Sequence, residues 1–204
     1  MRQGLLLVTV LAYTHNYKRA LYIRSVWLVR YKDSQELPVL VEEPVIREAV
    51  LRLGRDISQD YASKTPLLIG VLKGCFVFMA DLARALTVPC EVEFMRLSSY
   101  GAGATSSGVI HVISDIQTSI SGRDIIIVED IVDSGTTISF LMEHLISHSP
   151  ASIKVCTMFL KGSRANFPFN LDYVGMEIGA EFVVGYGLDY AEQYRFLPDL
   201  RVLK

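Results

Sequence analysis

The chain has 204 residues, enough for one domain or a domain with a small appendage. Half of the residues are hydrophobic and 21% are charged, which excludes a disordered chain, collagen and a coiled coil. A net charge of −2 argues against a protein held to nucleic acid by bulk electrostatics.

That average hides an asymmetry. Residues 1–32 hold six basic residues (Arg2, Lys18, Arg19, Arg24, Arg30, Lys32) and no acidic ones. Fourteen basic and 22 acidic residues follow, a net of −8. The apolar run Leu5–Ala12 behind Arg2 is like a weak signal peptide. It is far shorter than the ~18 apolar residues of a membrane span, and no small-x-small cleavage site follows it. Residues 1–36 therefore read as an N-terminal extension, set apart from a domain over 37–204.

The ordered pattern begins near Glu36. Pro44 suits the first turn of a helix, and Val45, Ile46, Ala49, Val50, Leu53 and Ile57 then recur at helical spacing. Leu67–Leu72 is a continuous apolar run, the mark of a strand buried on both faces. Lys73-Gly74 breaks it. Phe76, Met79, Ala80, Ala83 and Leu86 make a helical stripe. Glu91–Arg96 alternates as a strand does, Ser98–Gly108 is a glycine-rich polar loop, and Val109–Ile113 reads as a strand. Asp124–Glu129 is the clearest buried strand, followed by a loop over Asp130–Thr137. A helix over Ile138–Ser147 follows, with Ile138, Leu141, Met142 and Leu145 inward. Strands over Ser152–Leu160, Asp172–Ile178 and Phe182–Val184 complete an alternation that indicates an α/β fold with a mainly parallel sheet.

Cys75, Cys90 and Cys156 form no C-x-x-C pair and lie in or beside apolar stretches, so they read as reduced, buried thiols. His15, His111, His144 and His148 lack metal-ligand spacing with Cys or Asp.

The chemistry concentrates in Ile125–Thr137, IIIVEDIVDSGTT. A loop here sits at the carboxyl end of a buried strand, where open α/β sheets bind ligands. Ser134, Gly135, Thr136 and Thr137 supply backbone N–H groups, three hydroxyls and a helix N-terminus, a cradle for phosphate. Three carboxylates beside an anion site would repel it on their own. They make sense if they hold hydroxyls, a cation or a proton. A sugar phosphate satisfies both halves, with ribose hydroxyls on Glu129 and Asp130 and Mg²⁺ nearby.

This segment resembles the phosphoribosyl-pyrophosphate binding signature of type I phosphoribosyltransferases. VLKGC (71–75), SSYG (98–101), Lys161 after a strand and FVVGYGLDYAEQYRFLP (182–198) are similar to the hypoxanthine/guanine branch. The resemblance spans 37–204. It implies a mainly parallel central sheet flanked by helices, with a small hood built from the chain ends. It also implies transfer of a phosphoribosyl group to N9 of hypoxanthine or guanine, giving IMP or GMP and pyrophosphate, with Mg²⁺ as cofactor.

The resemblance carries roles to particular residues. Glu129 and Asp130 would bind the ribose 2′- and 3′-hydroxyls, directly or through Mg²⁺, and Ser134–Thr137 would hold the 5′-phosphate. Asp133 would exchange the proton at purine N7. A base there needs a raised pKa, which crowding by the neighbouring acids would supply. Lys161 has donors only, so it would select a 6-oxo over a 6-amino purine. Phe182 would stack on the base and Val183 would bond it through its backbone. Asp189 would border the purine site and ligate a second Mg²⁺. Lys73, Gly74 and Arg195 would hold pyrophosphate, and the family has a non-proline cis bond at this Leu-Lys step. Ser99 and Tyr100 match the family's flexible-loop pair, in a lid that keeps water from an oxocarbenium-like centre.

The partners implied are the purine base and phosphoribosyl pyrophosphate, without nucleic acid or membrane. A cytoplasmic homodimer or homotetramer is expected. A xanthine-preferring enzyme, or a non-catalytic nucleotide- or RNA-binding regulator on the same fold, are the alternatives.

Overall fold

A computed structural model describes residues 36–99, 110–162 and 167–204. The expectation of an N-terminal extension over 1–36 therefore falls almost wholly outside the described residues, as do most of the 98–108 loop and Tyr100.

The described chain begins with strand β1 (Val39–Val41) and helix α1 (Glu43–Asp60). Strand β2 (Leu67–Leu72) and helix α2 (Phe76–Ala85) follow, then β3 (Glu91–Ser99) and β4 (Ile110–Ser114). Next come β5 (Asp124–Val132), helix α3 (Thr136–Ile146), β6 (Ser152–Lys161) and β7 (Tyr173–Ile178). Short strands β8 (Val183–Val184) and β9 (Leu200–Val202) end it.

Two sheets form among the described residues. The larger has the order β4-β3-β2-β5-β6-β7, with only the β3–β4 pair antiparallel. The smaller, of order β1-β9-β8, is antiparallel and joins the start of the described chain to its end. This small sheet is the expected hood.

The period of two along each central strand decides which helix covers which face. Leu68, Ile126 and Val128 enter one core with Ile46, Leu53 and Ile57 of α1 and Phe78, Met79 and Leu82 of α2. Their neighbours Leu67, Ile69, Ile125 and Ile127 enter the other core with Ile138, Leu141 and Leu145 of α3. Because both faces are covered, Ile125–Val128 are wholly buried, and the sequence there shows no alternation.

Three expectations change. The α2 stripe is rotated: Phe76 is 44% exposed and Ala80 is exposed, while Phe78, Met79 and Leu82 point inward. Strand β5 does not stop at Glu129. Ladder pairing of Ile131 with Phe159 and Val132 with Leu160 carries it to Val132, so Asp130, expected to begin the loop, lies on the strand with Glu129. Cys90 is only half-buried, although Cys75 and Cys156 are buried and all three thiols are free.

Candidate active site

The chain steps from β2 outward to β3 and then returns to place β5 on the other side of β2. This reversal opens a crevice at the carboxyl ends of β2 and β5, the position where open α/β sheets receive ligands. Lys73-Gly74 follows β2, and Asp133–Gly135 follows β5.

Glu129 and Asp130 enter this crevice from inside the sheet. Asp130 is 6% exposed, and Glu129 is half-buried with Oε2 sealed from solvent and unpartnered in the protein. Burial, reinforced by the Asp130 charge, pushes the Glu129 carboxyl well above its ordinary value. Burial also raises Asp130, to about 6, against the pull of its own N–H, the Ile131 N–H and Arg195. A buried oxygen without a donor is costly, so this pair suits a ligand that brings hydroxyls or a cation.

Beyond β5 the chain turns at Gly135, with φ of 75°. A side chain there would meet Phe167, whose Cδ1 lies 2.5 Å from the Cβ position. Glycine answers both constraints. Helix α3 starts with no side-chain cap, and the Ser134 and Thr136 hydroxyls lie 3.0 Å apart. Thr136 N–H reaches Ser134 Oγ only at 3.4 Å. The first turn thus leaves backbone N–H donors without a side-chain cap, an arrangement able to receive an anion.

Asp133 is 72% exposed, and its Oδ2 lies 3.6 Å from Nζ of Lys161, which is 14% exposed at the end of β6. At that exposure, solvent rather than the crowding of Glu129 and Asp130 surrounds Asp133. A cleft of about 350 Å³ is lined by Asp133, Ser134, Lys161, Gly162, Phe167 and Ala180. Phe167 and the stacked Phe169, 5.3 Å between centroids, were missing from the sequence reading. Their only signal was the aromatic pair around Pro168. A larger cavity of about 630 Å³ between α1, α2 and residues 195–198 shares no lining residue with this cleft and holds only Arg195 of the expected site residues, so size does not mark the site.

On the β2 side, the peptide bond between Leu72 and Lys73 is cis. Gly74 passes so close to Asp130 that a Cβ would overlap Oδ2 of that carboxylate. Lys73 Nζ donates to Oε1 of Glu192 at 2.7 Å. Arg195 NH2 lies 2.6 Å from Asp189 Oδ1, and its NH1 donates to the Gly187 carbonyl at 2.7 Å. Arg195 Nε is buried without a partner. Asp189 and Arg195, given separate tasks by the sequence, are bonded to each other.

Phe182 is 52% exposed and packs edge-on to Tyr190 at 5.8 Å, leaving a ring face toward solvent. Val183 is buried, with its side chain in the core and its backbone paired to Val202. Ser99 ends β3, its side chain outside the described residues; Tyr100 lies outside them altogether. Among the described residues no group of three or more His, Cys, Asp or Glu gathers for a metal.

Comparison with known proteins places this geometry. Residues 40–191 match the phosphoribosyl transferase domain. The hypoxanthine-guanine phosphoribosyltransferase of Bacillus subtilis is 47% identical over 166 residues, covering 81% of this chain and 92% of that protein. The bifunctional protein TilS/HprT of Listeria innocua is 44% identical over the same share of this chain, which spans only 26% of that longer relative. A hypoxanthine phosphoribosyltransferase structure from Staphylococcus aureus superposes with a TM-score of 0.78 at 38% identity, covering 84% of this chain and 94% of that one. The chain belongs to the phosphoribosyltransferase family, in its hypoxanthine–guanine branch.

Proposed function

We propose that residues 37–204 transfer the 5-phosphoribosyl group of phosphoribosyl pyrophosphate to N9 of hypoxanthine or guanine, releasing pyrophosphate in purine salvage. The observation that carries this reading is the Lys161–Asp133 pair, 3.6 Å apart at the mouth of the cradle that opens α3. In a 6-oxopurine, O6 and N7 lie side by side on one edge. A donor-only lysine and a carboxylate at this spacing complement that edge. Adenine would set an amino donor against Lys161.

Ser134–Thr137 hold the 5′-phosphate on amides and hydroxyls, while Glu129 and Asp130 receive the ribose hydroxyls. Phe182 lies against the base face and the Val183 backbone bonds the base. Asp133 takes the proton at N7 as the purine nitrogen attacks C1′. Lys73, the Gly74 amide and Arg195 hold the departing pyrophosphate, and Asp189 fixes Arg195. Charge builds on the leaving group while the sugar becomes cationic, so preorganised donors are worth most here.

Mg²⁺ fits these residues. It takes few protein carboxylates and keeps water and phosphate oxygens, and the unpartnered Glu129 Oε2 marks a place for it. Glu129 and Asp130 would hold one ion and Asp189 a second, which would neutralise pyrophosphate charge. The enzyme is proposed to act in the cytoplasm as a homodimer or homotetramer. No described helix is long and apolar enough to cross a membrane.

Release of pyrophosphate from the sugar donor, measured separately with hypoxanthine, guanine, xanthine and adenine, tests this. Turnover with the first two is expected. Turnover with none, or with adenine alone, would overturn it.

A further inference from the structure

Glu192 has no task in the reaction as written, yet it touches both cations assigned to pyrophosphate. Its Oε1 accepts from Lys73 Nζ at 2.7 Å, and its Oε2 lies 3.7 Å from NH2 of Arg195. One carboxylate therefore spans the two positive charges at the pyrophosphate end of the site.

The local backbone holds it there. Ala191 and Glu192 have φ of 50° and 62°, left-handed values that residues with a Cβ seldom adopt. The Glu192 N–H donates to Asp189 Oδ2 at 2.8 Å, while Asp189 Oδ1 faces Arg195 NH2 at 2.6 Å. Asp189 thus orients the cation and the anion that faces it. A carboxylate offers these donors the same kind of charged oxygen as a phosphate. At 64% exposure the Glu192 side chain can also turn into water when a stronger anion arrives.

We propose that Glu192 is a specificity-determining residue, an internal counter-anion that occupies the pyrophosphate end of Lys73 and Arg195 until pyrophosphate or the pyrophosphoryl arm of the sugar donor displaces it. This rests on the function proposed above. Exchange of one anion for another weakens binding of both pyrophosphate compounds. It also helps product pyrophosphate leave, because the carboxylate recaptures the cations. The purine pocket, with Asp133 and Lys161, lies outside this exchange.

The test uses the full chain as wild type, Glu192→Gln and Glu192→Ala. Inhibition by inorganic pyrophosphate and KM for the sugar donor are measured beside KM for hypoxanthine. Both variants should bind pyrophosphate about three- to fivefold more tightly, the scale of exposed ion pairs removed. Donor KM should fall in parallel while hypoxanthine KM stays put. A merely structural role would move hypoxanthine KM as well. Unchanged or weaker pyrophosphate inhibition in both variants, with wild-type transfer intact, overturns the proposal. If wild type transfers nothing, the function above fails, and calorimetric titration with magnesium pyrophosphate still decides the role of Glu192. Tighter binding by the variants supports it; equal binding, or none by any of the three proteins, overturns it.

Discussion

Asp133 differs from the other two acids of its segment because it stands in solvent beside Lys161, 3.6 Å away, rather than within the sheet. As the proposed base it should be sensitive to loss of its charge alone. Asp133→Asn keeps the shape and should lower kcat about 100-fold or more, the usual contribution of a positioned acid–base group, with purine binding nearly retained. Steady-state kinetics with a parallel equilibrium measurement of hypoxanthine binding would check the split. Gly74 makes a different kind of claim. Its missing side chain is what lets the chain pass Asp130, where a Cβ would overlap Oδ2. Gly74→Ala should therefore displace a carboxylate assigned to ribose and raise KM for the sugar donor more than KM for the purine.

Helix α1 shows how an element is fastened at the end of the sheet away from the site. Asp60 in its last turn accepts from Lys154 Nζ at 2.7 Å and from the Tyr173 hydroxyl at 2.6 Å, tying α1 to β6 and β7. The hydrogen bond from Lys154, then that from Tyr173, holds the Asp60 carboxyl below the ordinary aspartate value. A carboxylate whose pKa is depressed on folding contributes stability above its unfolded pKa and loses it as pH falls through the folded one. Asp60 is 45% exposed, so solvent screening keeps the effect small. Asp60→Asn should lower Tm by about 1–3 °C at pH 7 and by less below pH 3. Thermal melts across that range would read it.

At the scale of the molecule, the sheet carries two cores, and the hood shares one of them. Val183, Tyr186 and Leu200 pack into the core of α1 and α2, so the segment bearing Phe182, Asp189 and Arg195 is anchored by the same burial that fixes the helices. Leu53, wholly buried on α1, is a probe of that core. Leu53→Ala should cost about 2–5 kcal/mol, seen as a lower urea midpoint. Loss of transfer activity should follow the same unfolding curve, because the anchor of the pyrophosphate-side residues lies in that core.

The central strands and the helices were legible in the sequence because burial on both faces leaves unbroken apolar runs such as Leu67–Leu72 and Ile125–Val128, whereas the three-residue strands β1 and β9 are too short to show a pattern. The turn that opens α3 was legible because Ser-Gly-Thr-Thr is local chemistry, complete within one turn. The α2 stripe was misjudged, since Phe76 and Phe78 are equally apolar and only the packing partner chooses between them. The extent of β5 was missed because the acid Asp130 after Glu129 suggests a loop, whereas pairing with β6 carries the strand to Val132. Phe167 beside Gly135 and Glu192 beside Lys73 could not be read from composition, for they join segments far apart in the chain, and the Asp189–Arg195 bond depends on the left-handed backbone at Ala191, Glu192 and Tyr194 between them. The sequence by itself determined which elements of the central sheet form and where a turn of small, hydroxyl-bearing residues opens a helix, because those depend on neighbours along the chain. Only the tertiary structure decided which carboxylates are buried and which cations they face, because burial and electrostatics act through space.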